Sequence, residues 1–281
     1  MTALARTERS QTLEDIEVEL LLSGIAQHHG YDFRDYSRAT LTRRVRQAML
    51  NESLASISEL QALVLHDSKA MRRFIASLSI HVSSMFRDPD FYRALREVAV
   101  PILRTYPFIR IWHAGCATGE EVYSTAILLE EEGLYERARI YATDMSEVVL
   151  ESARRGVFPL QGIQDSLKNY QRSGGHRDFA DYHVSDSEHV MFRERLRRNL
   201  VFSQHNLTWD QAFNEFHLIL CRNVMIYFNR VLRERVSCLL YQSLVRFGLL
   251  GLGKKESVAF TSVGDQYQEL VPDVRLYRRI Q

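Results

Sequence analysis

The feature that most constrains the fold is a strand, a glycine loop and an acidic helix start that follow one another directly. The sequence IRIWHAGCATGEE runs from residue 109 to residue 121. Its apolar first half predicts a buried parallel strand, its two glycines allow a tight turn, and the apolar residues after it predict a helix. A second predicted strand, residues 138–143, ends on Asp144. An acidic side chain at that position is placed to accept hydrogen bonds from ribose hydroxyls, so the segment predicts a site for a nucleotide-like cofactor.

The glycine spacing and two acidic residues indicate which kind of cofactor this segment would bind. Gly115 and Gly119 are four residues apart, unlike the G-x-G-x-x-G pattern that meets the pyrophosphate of NAD. Glu120 and Glu121 would repel a pyrophosphate, but they would suit a cofactor with a cationic end, such as the amino group of S-adenosylmethionine. A plain strand–turn–helix, whose first-turn acids complement the helix dipole, is the alternative interpretation.

Composition and charge are those of a globular protein with room for a substantial core. The chain has 281 residues, of which 46% are hydrophobic and 25% charged, enough for one large or two modest domains. Its net charge of +1 gives no whole-chain field for nucleic acid or a membrane surface, and we expect neither as a partner. No apolar run reaches membrane-spanning length, and residues 1–11 lack the apolar core of a signal peptide. A cytoplasmic location is therefore the expectation.

Cysteine and histidine positions indicate neither disulfides nor a metal centre. The three cysteines form no C-x-x-C pair. His113 and Cys116 lie three residues apart beside the glycine loop, and His28 is followed by His29, but neither pair has further ligands at a metal-binding spacing. We therefore expect no metal.

The N-terminal part of the chain is predicted to be helical, because residues 13–95 contain almost no β-branched strand runs. Within it, Leu41, Val45 and Ala48 fall on one face of a helix. Arg43 and Arg46 fall on the other face and Arg44 flanks them, so these three residues form a basic cluster, with Arg34 and Arg38 just upstream. A solvated helix face is one interpretation of this cluster, and a docking face for an acidic partner is the other.

After Pro101 the pattern alternates between apolar strands and helices. This order predicts an α/β fold with a doubly wound, mostly parallel sheet, whose ligand lies at the carboxyl ends of the strands. The positions that fall there are Gly115, Asp144, Asn206 and Arg222 with Asn223. Towards the end of the chain the pattern predicts a helix over residues 230–245 and strands over residues 249–252, 258–261 and 274–279.

Residues 158–198 do not follow this alternation. Gly174 and Gly175 are a turn signal, and residues 179–184 and 190–192 have the length and composition of short antiparallel strands. We interpret the stretch as a small inserted β-subdomain.

Several motifs, in their order and spacing, resemble one known family. They are SSMFRD at residues 83–88, GCATGEE at 115–121 followed by Tyr123 and Ser124, ATD at 142–144, HNL at 205–207, CRNVMIYF at 221–228 and the turn 253–257. Together they resemble the CheR family, the S-adenosylmethionine-dependent protein-glutamate O-methyltransferases that act on chemotaxis receptors. The resemblance implies a helical docking domain over residues 1–95 and a methyltransferase-type Rossmann domain over residues 96–281, with the β-subdomain inserted at about 158–198.

The resemblance also implies which residues bind the cofactor. They are His81, Ser83, Arg87, Glu121, Asp144, Asn206, Leu207, Arg222 and Asn223. In this arrangement Glu121 binds the amino group of S-adenosylmethionine and Asp144 binds its ribose. Asn206 and Leu207 flank the adenine.

Catalysis and docking follow from the same resemblance. Arg87 and Tyr227 would be the catalytic residues that align the reacting groups. The substrate-docking residues would be Arg43, Arg44 and Arg46. The chain departs from the family at Thr40, where an arginine is common, and at His81, where an asparagine is common.

The activity that the resemblance implies is methyl transfer to glutamates on the cytoplasmic coiled coil of a chemoreceptor-like protein. The products would be glutamate methyl esters, which serve adaptation, and S-adenosylhomocysteine. Two alternatives are a module that binds S-adenosylmethionine or S-adenosylhomocysteine for regulation, and methyl transfer to a different signalling protein. A monomer without insertion into a membrane is the default expectation.

Overall fold

The computed structural model describes residues 12–78 and 84–281. Contacts within the chain separate it into two compact units, with the division after Leu78. The first unit is helical, and the second is built around two β-sheets. No helix in the described ranges is long and apolar enough to cross a membrane.

Helices make up the described part of the first unit, as the sequence predicts. They are α1 (Leu13–His29), α2 (Arg38–Asn51), α3 (Ile57–His66) and α4 (Ser68–Leu78). Helix α1 packs against α3, and α4 contacts both α2 and α3. Val18, Leu22, Val45 and Val64 are each at most 1% exposed, so apolar burial stabilises the unit.

Short polar motifs set the ends of these helices. Thr12 and Asp15 cap α1 reciprocally, because each side chain accepts a hydrogen bond from the other residue's N–H at 3.2 Å. Gly30 ends α1 with a φ of 76°, a left-handed conformation that favours glycine. Ser56 caps α3 by accepting from the N–H of Glu59. The caps pair backbone groups that the helices leave unsatisfied.

The described part of the second unit contains ten strands. They are β1 (Ile109–Ala114), β2 (Ala138–Asp144), β3 (Val157–Pro159), β4 (His183–Ser185), β5 (His189–Phe192), β6 (Leu200–Gln204), β7 (Phe216–Cys221), β8 (Leu244–Leu252), β9 (Tyr267–Val271) and β10 (Leu276–Arg279). Seven of them form one sheet in the order β6–β2–β1–β7–β8–β10–β9. The run from β6 to β8 is parallel, and β10 and β9 are antiparallel. The predicted mostly parallel sheet is confirmed.

Helices precede and connect the strands of the second unit. They are α5 (Pro89–Ala94), α6 (Val100–Leu103), α7 (Glu120–Glu131), α8 (Glu147–Arg155), α9 (Ile163–Arg172), α10 (Glu194–Arg197) and α11 (Arg230–Gln242). Helix α7 buries an unbroken run of residues, 122–129, which explains why that run is so apolar. All six residues of β7 are buried, as expected of a central parallel strand.

The inserted β-subdomain is confirmed as a three-stranded antiparallel sheet in the order β3–β5–β4. Val190 and Phe192 of β5 are buried, whereas His189 and Met191 are exposed, so the strand has one inner face. The strand predicted over residues 179–184 is wrong in its first part, because Phe179–Tyr182 forms a 3-10 turn. Asp178 begins that turn by accepting from the N–H of Ala180 at 2.9 Å.

The strand predicted over residues 258–261 is wrong. These residues form a turn in which the N–H and the hydroxyl of Thr261 both donate to the carbonyl of Val258. β10 takes the place beside β8 instead. A short apolar run alone therefore gives a false strand signal, because a strand also has to pair with a neighbouring strand.

Two predicted boundaries near the C-terminus are also wrong. The last helix is predicted to reach Val245, but α11 ends earlier because Leu244 already pairs with β7 as the start of β8. The last strand is predicted from Val274, but it begins two residues later because Pro272 opens a 3-10 turn there.

The predicted domain boundary at residue 95 and the structural division after Leu78 differ. The described residues between them pack with the second unit, because Phe86 and Phe91 are at most 1% exposed and belong to its core. The ring of Phe86 meets that of Tyr170 edge to face at 5.2 Å. Helical periodicity alone does not show which core a helix joins.

Candidate active site

Gly115 lets the loop after β1 fold back over the end of β2. Its φ is 81°, a left-handed conformation that glycine adopts at little cost. The N–H groups of Gly115 and Cys116 donate to the carbonyl of Thr143 at 2.8 and 2.9 Å. A Cβ at residue 115 would lie 2.7 Å from Cγ2 of Val224, so no larger residue fits. The loop is pinned to β2 on one side and packed against the segment after β7 on the other.

The carboxylate of Asp144 lies where this loop meets β2, and the residue is only 8% exposed. Its Oδ2 accepts from the N–H of Ala117, and its Oδ1 accepts from the N–H of Ser146, both at 3.0 Å. The two backbone bonds, one at each oxygen, fix the orientation of the carboxylate. The arrangement suits hydroxyl donors from a ligand.

Glu121, whose side chain is 19% exposed, belongs to a chain of buried and partly buried polar and charged side chains. Its Oε1 lies 3.0 Å from Nδ1 of His113, and its Oε2 accepts from Nη1 of Arg222 at 2.9 Å. Burial would raise the pKa of Glu121, but the hydrogen bond with His113 and the positive charge of Arg222 outweigh it and hold the pKa below its ordinary value. Glu121 is therefore ionised at neutral pH.

Arg222 is the centre of this chain, and its side chain is 1% exposed. Its Nη2 donates to Oδ2 of Asp88 at 2.8 Å and to the carbonyl of Arg87 at 3.2 Å. The guanidinium also lies 4.0 Å from the centre of the Phe91 ring, within range of a cation–π interaction. The buried charge chain, as we call Asp88, Arg222, Glu121 and His113, joins the end of β7, the start of α7 and the segment before α5.

The segment before α5 carries Arg87 between two residues with unusual backbone conformations. Phe86 and Asp88 have φ values of 51° and 58°, which non-glycine residues rarely adopt. The N–H of Phe86 donates to Oγ of Ser124 at 2.9 Å. Arg87 itself is partly exposed. Its backbone is thus held on both sides while its side chain reaches the surface of the unit.

The end of β6 lies beside the end of β2. The N–H of His205 donates to the carbonyl of Asp144 at 3.1 Å. Oδ1 of Asn206 accepts from the N–H of Thr208 at 3.0 Å, which closes a local turn, and Leu207 is 8% exposed. The two predicted adenine-flanking residues therefore follow the strand that neighbours Asp144.

Asn223 and Tyr227 lie in the loop after β7. Asn223 has a φ of 62°, and its N–H donates to Oε2 of Glu256 at 2.7 Å. Tyr227 is partly exposed and ends the 3-10 turn Met225–Tyr227. Within that turn the N–H of Ile226 donates to Oε1 of Glu256 at 3.2 Å. One buried acidic side chain therefore holds the loop that carries both predicted residues.

The predicted site residues within the described ranges gather around the carboxyl ends of the parallel strands. They are Arg87, Glu121, Asp144, Asn206, Leu207, Arg222, Asn223 and Tyr227. The predicted residues His81 and Ser83 lie outside the described residues. Cofactor binding and catalysis by these side chains stay predictions.

Three residues of this region have no role in the sequence prediction, namely His113, Asp88 and Glu256. His113 is fully buried in β1 between Trp112 and Ala114, and a polar residue at such a position of a predicted buried strand is a signal that the sequence does carry. Asp88 and Glu256 fall within quoted motifs, at residues 83–88 and 253–257. Their partners are distant in sequence, so only the fold shows what they contact.

The basic cluster of α2 is partly engaged inside the first unit. Arg46 forms a two-pronged pair with Glu14 of α1. Arg44 is partly buried. Arg43 is exposed and forms no ion pair with any described residue. Substitution of Arg46 or Arg44 would therefore also disturb contacts within the first unit, whereas substitution of Arg43 would disturb no ion pair with a described residue.

The donor set of the second unit fits a cofactor with hydroxyls at one end and an ammonium at the other. Asp144 offers oriented acceptors to hydroxyls, and the carboxylate of Glu121 offers negative charge. Among the described residues, no three His, Cys, Asp or Glu side chains group in a way that could hold a metal ion.

Two family models cover most of the chain. One, described as CheR methyltransferase, SAM binding domain, matches residues 81–271. The other, described as CheR methyltransferase, all-alpha domain, matches residues 16–79. These two ranges correspond to the sheet unit and the helical unit.

Named relatives are similar over most of their own length. A Pseudomonas putida protein named "Putative methyltransferase Cher3" is 44% identical, over 96% of this chain and 99% of that protein. The chemotaxis protein methyltransferase of Salmonella typhimurium is 29% identical, over 91% and 88% of the two chains. That of Listeria monocytogenes is 28% identical, over 82% and 85%. On the strength of both family models, the chain belongs to the CheR family of S-adenosylmethionine-dependent chemotaxis methyltransferases.

Proposed function

We propose that the protein transfers the methyl group of S-adenosylmethionine to glutamate side chains of a chemoreceptor-like signalling protein. The observation that carries the proposal is the position of Arg222, which hydrogen-bonds both Glu121 and the carbonyl of Arg87. It links a predicted cofactor-binding carboxylate to a predicted substrate-aligning residue. The names of the Salmonella and Listeria relatives support a chemotaxis protein as the acceptor.

S-adenosylmethionine supplies a methyl group that its sulfonium activates for transfer. Asp144 would hold the ribose hydroxyls, because two backbone bonds orient its carboxylate at the end of β2. The buried charge chain contains two carboxylates and one guanidinium, so these three groups have a formal charge of one negative unit. That charge would attract the cofactor's amino group to Glu121.

Substrate activation needs no general base. A solvated glutamate is already ionised at neutral pH, so the nucleophile is present without proton transfer. The remaining task is alignment of the carboxylate with the methyl group, and orientation supplies about 7–11 kcal/mol in favourable cases. Arg87 and Tyr227 are the residues that we assign to alignment. A tight ion pair with Arg87 would stabilise the ground state, so its contribution is positional.

Calorimetric titration with S-adenosylhomocysteine tests the cofactor site. We expect wild type to bind, and Asp144→Ala and Glu121→Ala to bind at least about tenfold more weakly, since each removes an ionised acceptor. Glu151→Gln is the matched control, because Glu151 is an exposed residue of α8. Folded wild-type protein that fails to bind would overturn the proposal.

Transfer of a radiolabelled methyl group to a purified cytoplasmic chemoreceptor fragment tests the acceptor. A glutamate methyl ester is base-labile and releases its label as methanol, whereas methylated nitrogen keeps it. Base-labile label that is lost when the receptor's glutamates are replaced by alanine would support the proposal. Binding of S-adenosylhomocysteine without transfer would favour a regulatory binding module, and base-stable label would exclude ester formation.

A further inference from the structure

Glu256 places a carboxylate beneath the loop that follows β7, and the residue is 5% exposed. Its Oε2 accepts from the N–H groups of Asn223 and Gly253, both at 2.7 Å. Its Oε1 accepts from the N–H of Ile226 at 3.2 Å. All three donors are backbone groups, so the side chain holds the course of two chain segments rather than a neighbouring side chain.

Gly253 packs closely against both Glu256 and the backbone of Asn223. A Cβ at Gly253 would lie 2.6 Å from Oε2 of Glu256 and 2.9 Å from the backbone N of Asn223. Asn223 itself has a φ of 62°, a conformation that costs a non-glycine residue energy and that the surroundings must maintain. The hydrogen bond from its N–H to Glu256 is the contact that maintains it.

Burial of the Glu256 carboxylate lowers the stability of the fold. Burial raises the pKa of its carboxyl, and the backbone hydrogen bonds only partly offset that effect. A neutral side chain of the same shape would avoid the desolvation of a charge. The residue is therefore explained better by what it positions than by the stability that it adds.

We propose that Glu256 is a positioning residue of the methyltransferase site. It fixes the backbone of Asn223 at one oxygen and the turn that carries Tyr227 at the other. The inference rests on the proposed function, because the roles of Asn223 and Tyr227 belong to it.

The two oxygens of Glu256 contact different segments, so Glu256→Gln should affect cofactor affinity and kcat differently. A glutamine keeps one carbonyl oxygen, which can serve the two short bonds to Asn223 and Gly253, and it turns an amide NH2 towards the N–H of Ile226. We expect the affinity for S-adenosylhomocysteine to change by less than about threefold and kcat to fall by about tenfold, because the turn that ends in Tyr227 shifts. Glu256→Asp keeps the charge but loses reach, and it should lower kcat as well.

The fall in kcat at nearly unchanged affinity is the readout that a merely structural role would not move, and hydrogen exchange shows where in the chain the change lies. In Glu256→Gln the peptide that contains residues 222–228 should exchange faster, while peptides of β1 and β2 exchange as in wild type. Glu151→Gln serves again as the exposed control. If Glu256→Gln does not fold, Glu256→Asp is measured in the same way and must show the loss of kcat.

The outcomes separate this inference from the proposed function. If the wild-type protein neither binds the cofactor nor transfers a methyl group, both the proposed function and the positioning role of Glu256 are overturned. If the wild-type protein is active and a folded Glu256→Gln or Glu256→Asp variant keeps the wild-type kcat, only the positioning role of Glu256 is overturned. A loss of activity that only matches a loss of folded protein, with unchanged exchange in the loop, overturns it too.

Discussion

Nη1 of Arg222 donates a hydrogen bond of 2.9 Å to Oε2 of Glu121, and the guanidinium side chain is almost completely buried. The pair joins the end of β7 to the first turn of α7, two elements that are far apart in sequence. Because Asp88 and the carbonyl of Arg87 bind the same guanidinium, its removal would disturb three segments at once.

Replacement of Arg222 by alanine should be strongly destabilising. It leaves the carboxylates of Glu121 and Asp88 without their cation, and such a loss costs about 3–5 kcal/mol at a buried pair. Urea unfolding followed by tryptophan fluorescence measures this, because both tryptophans, Trp112 and Trp209, lie in the second unit.

Arg275→Ala is the control for that measurement. Arg275 pairs with Glu269 at the surface, so its loss should cost no more than about 1 kcal/mol. Equal stability of the two variants would show that the buried pair contributes no more than a surface pair.

Gly115→Ala should destabilise the second unit and weaken binding of S-adenosylhomocysteine. Its φ of 81° costs a residue with a Cβ about 1–2 kcal/mol, and the clash with Val224 adds about 1–3 kcal/mol of overpacking. Gly133→Ala isolates the first contribution, because Gly133 has a φ of 68° and a Cβ there would meet open space.

The double variant Gly115→Ala with Val224→Ala separates the clash from the backbone strain. It should recover part of the stability lost in Gly115→Ala, although not all of it. Thermal unfolding of wild type and of the three variants measures both contributions. Equal losses in Gly115→Ala and Gly133→Ala would contradict the role of close packing.

The sequence predicts those parts of the site that local pattern encodes. Gly115 and Asp144 follow apolar strands directly, and parallel strands bring their carboxyl ends to one edge. The partners of Glu121 are not encoded locally, because His113 lies on the preceding strand and Arg222 directly follows a strand about a hundred residues later. The strand prediction for residues 258–261 fails for a related reason, since strand formation depends on pairing with a neighbouring strand as well as on composition.

A docking role of α2 predicts that Arg43→Glu lowers methylation of a receptor fragment without lowering stability. Arg43 is exposed and forms no ion pair with the described residues, so its replacement should leave the fold intact. Methylation rates at several receptor concentrations should show a higher KM with unchanged kcat, and the effect should shrink at high salt. Wild-type KM in Arg43→Glu would argue against docking at this residue.

Arg46 requires a different design, because it pairs with Glu14 of α1. Arg46→Glu alone would place two carboxylates together and confuse loss of stability with loss of docking. The charge swap Arg46→Glu with Glu14→Arg restores an ion pair within the unit. We expect the swap to recover thermal stability but not the KM for the receptor fragment. Recovery of both would assign Arg46 a structural role only.

Acidification should weaken the contacts that Glu131 of α7 makes with Arg96 and with Tyr170 of α9. The side chain of Glu131 is fully buried, pairs with Arg96 and accepts from the hydroxyl of Tyr170. Burial raises its pKa, but these partners outweigh burial and place the pKa below the ordinary value of 4.5. A carboxyl with a lowered folded-state pKa stabilises the protein above its unfolded-state pKa, and the contribution is lost as the pH falls through the folded-state pKa.

Comparison of wild type with Glu131→Gln isolates this contribution, because every other titrating group is present in both proteins. At neutral pH we expect the variant to be less stable by about 3 kcal/mol, since it leaves the buried guanidinium of Arg96 without its main partner. Arg96 also binds Glu132, which limits the loss. Urea unfolding from neutral pH to about pH 3 should show the difference shrinking below about pH 4.5, where the unfolded chain takes up the proton first. A difference that stays constant over this range would mean that the ionised carboxylate of Glu131 does not stabilise the contact.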